Sequence, residues 1–227
     1  DGTIDTDQLR ELLRPDTILL AVTAVDSELG TIQPLEEIRE ILKDYPNCRL
    51  HVDATQAVGR IPITFQGFDT MSLAFHKIGG LNGSGLLLKR QQLVIEPLFY
   101  GGSSDSIYRS GTPTLALAAA ADTALTLAIE YRDERTSVVR DMRTQLETAL
   151  SAFPKVRINS PVGGVPHILN LSVQGVKGTQ FQKALSERGV CVSVKSACSS
   201  DGLPSKAVFA VSRERKNALS SWRISLS

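Results

Sequence analysis

Two short runs in the first third of the chain carry residue types that cofactor chemistry needs. Asp53 ends the apolar run beginning at His51, and Gln56 comes soon after it in H-V-D-A-T-Q-A-V-G. Lys77 comes directly after His76 at the end of S-L-A-F-H-K. Each run reads as a buried strand that delivers its last residues to its C-terminal end. A carboxylate and an amine arriving on two strand ends suit pyridoxal phosphate, whose pyridinium nitrogen pairs with the acid and whose aldehyde forms a Schiff base with the lysine. The same types fit a plainer account, in which Asp53 caps the next helix and Lys77 is a solvated surface charge.

A third reactive group is Cys198, in the polar stretch K-S-A-C-S-S-D-G-L-P. Lys195 is close enough in sequence to lower its pKa, although an ordinary exposed thiol has the same local surroundings. Cys48 and Cys191 lie in apolar strand patterns and read as inert core residues. His51 reads as structural and His167 as a loop or strand-edge residue. His76 either touches a cofactor or packs beside Lys77. The glycines of G-G-L-N-G-S-G, after Lys77, either cradle phosphate or form a tight turn between two strands. They do not make a nucleotide fingerprint.

The elements around these residues alternate. Residues 5–14 predict a helix capped by Thr6 and stopped by Pro15. Residues 17–25 form a continuous apolar run, the pattern of a strand covered on both faces. D-S-E-L-G comes next as a loop, then a helix from Pro34 to Lys43, then a strand from Cys48 to Asp53. This order predicts an α/β fold whose ligands sit beyond the carboxyl ends of the strands. Asp26 to Glu28, Asp53 to Gln56, and His76 to Lys77 all fall at such ends. Residues 99–112 read as a polar, glycine-rich functional loop. Two helices come after it, at 113–131 with Thr112 as N-cap and at 133–153. Their charged join, Y-R-D-E-R-T-S, marks the expected division into a large domain, 1–132, and a small C-terminal α/β domain, 133–227. The small domain is predicted from strands at 156–159, 168–173 and 190–194, a helix at 179–188 and a final strand in S-S-W-R-I-S-L-S. Its sheet is expected to be largely antiparallel.

Composition narrows the function classes. The chain has 227 residues, 42% hydrophobic and 22% charged, within the range of ordinary globular proteins. A net charge of +1 gives no electrostatic footprint for nucleic acid. No apolar run approaches a membrane span, so no membrane partner is expected. Three cysteines without paired spacing make neither a disulfide framework nor a metal knuckle, and a reducing, cytoplasmic setting is expected.

The motifs H-V-D-A-T-Q-A-V-G, F-H-K-I-G-G, R-S-G-T, S-A-C-S-S and S-x-R-I-S-L occur in an order that resembles the cysteine desulfurases, class V, fold-type I pyridoxal phosphate enzymes. The resemblance spans essentially the whole chain. It implies a mainly parallel sheet flanked by helices, here an incomplete large domain, plus a small C-terminal domain carrying a catalytic-cysteine loop. It implies that Lys77 forms the Schiff base, that Asp53 keeps the pyridine nitrogen protonated, and that Gln56 hydrogen-bonds the phenolic oxygen. His76 would lie at the phosphate side, and Thr112 would reach the phosphate of a partner subunit in a homodimer. Arg223 and Arg109 would stand on the substrate side, with Arg223 holding the carboxylate of L-cysteine. Cys198 would take the sulfur as a persulfide, release L-alanine and pass the sulfur to an acceptor protein, as in iron–sulfur cluster assembly.

The chain departs from the family pattern at two places. Ser27 stands where the family has an asparagine facing the phenolic oxygen. Ala74 stands where a hydroxyl residue binds phosphate, a bond worth about 1.5–3 kcal/mol. The family also carries a long segment ahead of the point where this chain begins, so a fragment is expected. The alternatives are another class V enzyme, an aminotransferase or a selenocysteine lyase, or a scaffold relative that lacks the cofactor.

Overall fold

The computed structural model describes residues 2–102, 107–195 and 203–227. Cys198 lies outside the described residues, as does part of the 99–112 loop. Helix α1 (Thr6–Leu12) is capped by Asp5, whose carboxylate accepts from the N–H groups of Asp7 and Gln8. The expected cap, Thr6, is the first helical residue instead, because the shared oxygen must stand one residue outside the turn to reach N–H groups two and three places on.

Strand β1 (Leu19–Thr23), helix α2 (Leu35–Leu42) and strand β2 (Arg49–Asp53) come in the expected order. Next are β3 (Thr70–Ala74) and β4 (Gly85–Lys89). The sheet order is β1-β2-β3-β4, with the first three parallel and β4 antiparallel to β3. Leu50, Val52, Met71 and Leu73 are buried on it, and α2 adds Ile38 and Ile41 to the same core. Strand β1 departs from its expected two-sided cover. It lies at the sheet edge with Leu19, Ala21 and Thr23 exposed. Apolar side chains on an edge strand do not require a layer on each face. The segment 79–84 is the turn between antiparallel β3 and β4, as its plainer reading has it, with Gly79 and Gly83 both at φ 88°.

Register between β2 and β3 matters for the site. His51 bonds Thr70 Oγ1 through Nδ1 at 2.8 Å and Ser72 Oγ through Nε2 at 3.2 Å, which makes it structural as expected. Asp69, just before β3, accepts from the Leu50 N–H at 2.8 Å and pairs with Arg90 at 3.3 Å. These contacts hold Asp53 level with Ser72.

Helix α3 (Leu115–Glu130) turns Ala121, Ala124 and Ala128 inward, and its N-cap is Thr114 rather than Thr112. Small residues let the turn after β2 approach closely. Gly59, at φ 71°, lies so near that a Cβ there would be 2.8 Å from that of Ala128. Helix α4 (Arg132–Leu150) reaches from the turn after β2 to the second sheet. Thr136 donates to Arg60 O at 3.1 Å, and Arg143 donates to Val165 O at 2.8 Å and Ile168 O at 3.1 Å. Leu146 and Leu150 pack on the core formed by Leu169, Leu171 and Trp222.

The second sheet is antiparallel, as expected, in the order β5 (Val156–Ile158), β6 (Ile168–Val173), β7 (Ser221–Ser225). Helix α5 (Gly178–Ser186) covers β7, with Phe181 stacked on Trp222 at 4.8 Å. The strand expected at 190–194 reduces to one bridge, Ser193 with Arg223. Val190 is 47% exposed and Cys191 is exposed, so neither is the core residue its apolar setting suggests. Cys48 is buried, and burial raises its thiol pKa, as fits an inert core position. Two short helices, α6 (Lys206–Ser212) and α7 (Arg215–Ser220), fill a stretch with no sequence expectation. Among the described residues no helix is long and apolar enough to cross a membrane.

His167 lies in the turn directly before β6, as expected, but it is 5% exposed, with no partner for Nε2. Burial, then the nearby cations Arg60, Arg143 and Arg223, push its pKa down to about 3 from 6.5. The unfolded chain therefore binds the proton first, and the stability His167 confers as a neutral ring is complete above its unfolded pKa and declines below it. Between about pH 7.5 and 5 this residue is expected to account for a loss of about 2 kcal/mol. Urea midpoints measured across that window should fall for the native protein and fall less for His167→Asn. Parallel slopes in the two proteins would contradict the assignment.

Candidate active site

The parallel strands β2 and β3 end side by side, and the residues just past each end face one cavity of about 930 Å³. Beyond β2, Asp53 Oδ1 accepts from the Thr55 N–H at 2.9 Å, which fixes the carboxylate at the strand end, and Gln56 stands on the same wall. Beyond β3 the chain does not continue as a strand to Lys77. The strand ends at Ala74, and the chain makes a single 3-10 turn, Phe75–Lys77. Phe75 is 5% exposed and anchors the turn in the core, while its carbonyl accepts from Ile78 N–H at 3.0 Å and Gly80 N–H at 2.9 Å. With Phe75 turned inward, His76 and Lys77 stand outward and line the cavity.

The third wall comes from the loop after β1. Asp26 folds it by accepting from Glu28 N–H at 3.0 Å and Leu29 N–H at 2.6 Å. The loop presents Ser27, whose carbonyl accepts a short hydrogen bond from Arg223 Nη1. Arg223 sits on β7 and is brought there by the pairing of β6 with β7. Burial lowers its pKa, and Glu28 and Asp26 oppose that shift. Its Nε is buried without a partner. Of its five N–H donors, the one given to Ser27 leaves a forked cation able to take a carboxylate.

Asp53, Gln56, His76, Lys77, Ser27 and Arg223 are thus brought together around one cavity. Thr112 and Arg109 are not. Both are exposed, and Arg109 lies in a bridge with Phe99 away from the cavity wall. Lys195 and Leu203, which bracket the sequence carrying Cys198, both line the cavity. Sequence reasoning missed Lys177, Thr179 and Gln182, which line it from the start of α5. The only local signal for them is the helix start itself, since nothing in their types marks a site.

The donor set suits pyridoxal phosphate carrying an amino acid. An acid held at a strand end, a primary amine on the turn past the neighbouring strand, an amide, an imidazole and a guanidinium surround a space of the right order for both. Ala74, at the end of β3, brings no hydroxyl to this wall.

Comparison with known proteins gives consistent results. A family model described as aminotransferase class-V matches residues 1–227. The cysteine desulfurase IscS of Dictyoglomus turgidum is 35% identical over 231 residues, covering 100% of this chain and 58% of that protein. The putative cysteine desulfurase IscS 1 of Bacillus subtilis is 34% identical over 231 residues, covering 99% of this chain and 61% of that protein. A solved NifS-like protein superposes with a TM-score of 0.91 at 30% identity, covering 99% of this chain and 60% of its own. SspA in complex with cysteine superposes with a TM-score of 0.80 at 27% identity, covering 99% and 63%. The chain therefore spans about three fifths of the length of these relatives.

Proposed function

The chain belongs to the aminotransferase class-V family, and from that premise we propose that it is the core of a pyridoxal phosphate-dependent cysteine desulfurase. The observation that carries the reading is the convergence of Asp53, Lys77 and Arg223 on one cavity. The cofactor, when bound, supplies an electron sink that weakens the bonds at the substrate's Cα. Asp53, fixed by the Thr55 N–H, would hold a proton on the ring nitrogen. Gln56 donates at the phenolic oxygen and His76 at the phosphate side, with Ser27 as the shorter stand-in on the loop after β1. Lys77 would hold the cofactor through its amine and would be the base for the substrate's Cα proton. Arg223, its guanidinium oriented by Ser27 O, holds the carboxylate of L-cysteine.

The Cys198 thiolate then attacks the substrate sulfur. The cysteine C–S bond breaks, an S–S bond forms on Cys198, and a proton completes the methyl group of L-alanine, so no outside oxidant is needed. Lys195 and Leu203 on the cavity wall support this role, because the segment between them starts and ends at the site. The persulfide sulfur passes to an acceptor protein, with iron–sulfur cluster assembly as one destination.

A division at 132 and 133, at the start of α4, separates the cofactor wall from the unit that carries Arg223 and the Cys198 segment. Thr112 and Arg109 serve a partner subunit's site in a homodimer. The exposure of Phe99 (65%), which bridges to Arg109, and of Ile107 (78%) and Leu115 (78%), near them in sequence, supports this. The unpaired cysteine spacing supports a cytoplasmic setting.

The test is a visible absorption spectrum of the full-length protein with added pyridoxal phosphate, before and after L-cysteine, with alanine and sulfide measured together. A band that changes on cysteine addition, with alanine and sulfide formed in step, is the expected result. A folded protein that takes up no cofactor would overturn it in favour of the scaffold reading that Ala74 and Ser27 favour.

A further inference from the structure

Lys77 borders a second, smaller cavity of about 440 Å³, so its turn is part of the partition between the two spaces. Arg60 reaches this partition from behind. It lines the smaller cavity but not the larger one. Its Nη2 donates to Lys77 O at 2.8 Å. Its backbone closes the turn after Asp53 and Gln56, with Arg60 N–H donating to Ala57 O at 3.0 Å. That turn is itself pinned to the helices, by Thr136 Oγ1 on Arg60 O at 3.1 Å and by the close approach of Gly59 to Ala128. One guanidinium therefore joins the segment that carries the acid to the turn that carries the lysine.

The arrangement is costly for the fold alone. Burial lowers the Arg60 pKa, and Nε is buried with no partner. An unmatched buried donor destabilises, and the bond from Nη2 to Lys77 O is exposed, so water can replace it at little cost to the fold. We infer that Arg60 is a positioning residue, which holds the Lys77 carbonyl against the turn after Asp53 and so fixes the amine relative to the acid. What is positioned rests on the cofactor reading above; the mechanical link does not. Arg60 touches neither substrate nor cofactor in this role.

The experiment uses the full-length protein and the variants Arg60→Met and Arg60→Lys. In the cofactor-free proteins, amide hydrogen exchange is measured at Ile78 and Gly80, which both donate to Phe75 O in the Lys77 turn. Loss of one charge-assisted bond is expected to speed their exchange about tenfold or more in Arg60→Met. Its Tm should be equal to or above the native value. Pyridoxal phosphate affinity, read by the visible band, should weaken by about tenfold in the same variant. Arg60→Lys, which keeps one cationic donor, should recover part of both effects. A lower Tm with unchanged exchange at Ile78 and Gly80 would make Arg60 merely structural and overturn the inference, as would no change in exchange at any Tm. If the native protein bound no cofactor, the functional reading would fall. The exchange result alone would then decide the link, for or against.

Discussion

Lys77→Ala is expected to lose at least about 10³-fold of alanine formation from L-cysteine, together with the visible band of bound cofactor. Two roles disappear with one amine. Under the proposed function, Lys77 attaches the cofactor and is the base that moves the substrate's Cα proton. The fold should be intact, because Lys77 is exposed at the end of a turn whose anchor is Phe75, 5% exposed. Its carbonyl, the acceptor for Arg60, is retained in the variant. Thermal unfolding should therefore match the native protein while both functional readouts vanish. Added methylamine should restore a fraction of turnover, because a small amine can enter a cavity of about 930 Å³ and replace the missing base. Alanine formed at the native rate by Lys77→Ala would show that the chemistry does not pass through this residue, and the proposed function would be wrong.

The second large effect separates the sulfur step from the earlier ones. Cys198→Ala should bind pyridoxal phosphate with the native spectrum, and that spectrum should still respond to L-cysteine, because Lys77, Asp53 and Arg223 are untouched. Alanine formation should drop by at least about 10³-fold, and no persulfide should be detectable by thiol-specific labelling and mass analysis of the protein. The two variants fail at different points, so their spectra distinguish them even though both lose turnover. A Cys198→Ala protein that keeps full turnover on selenocysteine would assign the chain to the lyase reading instead. Retained alanine formation with cysteine would mean that another nucleophile takes the sulfur. Cys191 is the thiol to inspect in that event, since it is exposed, whereas Cys48 is buried with a raised pKa.

The sequence by itself determined the α/β order, the strand ends at Asp53 and near Lys77, the long helices, and the antiparallel character of the second sheet. All of these arise from local patterns. Apolar runs bounded by polar residues become buried strands, and the first polar residue past such a run must emerge at the sheet edge. That is why the acid and the lysine were legible together. The five ordered motifs carried the family assignment for the same reason, since each is a contiguous segment.

Tertiary structure decided what local pattern cannot encode. Arg223 meets Ser27 across a separation of 196 residues because β6 pairs with β7 and the loop after β1 is folded back by Asp26. Nothing in either segment names the other. The apolar stretch at 190–194 looks like a strand, but only Ser193 forms a bridge to a neighbouring strand, because a ladder needs a neighbouring edge in register and not only suitable side chains. His167 reads as a loop or strand-edge residue, and its burial, with the guanidiniums of Arg60, Arg143 and Arg223 brought near, keeps the ring neutral. The 3-10 turn that aims Lys77 depends on Phe75 finding the core and on Arg60 holding the Lys77 carbonyl. Pattern assigns each residue an inside or an outside. Which side chains then share a cavity is set by the packing of whole elements, whose energies depend on partners far away in the chain.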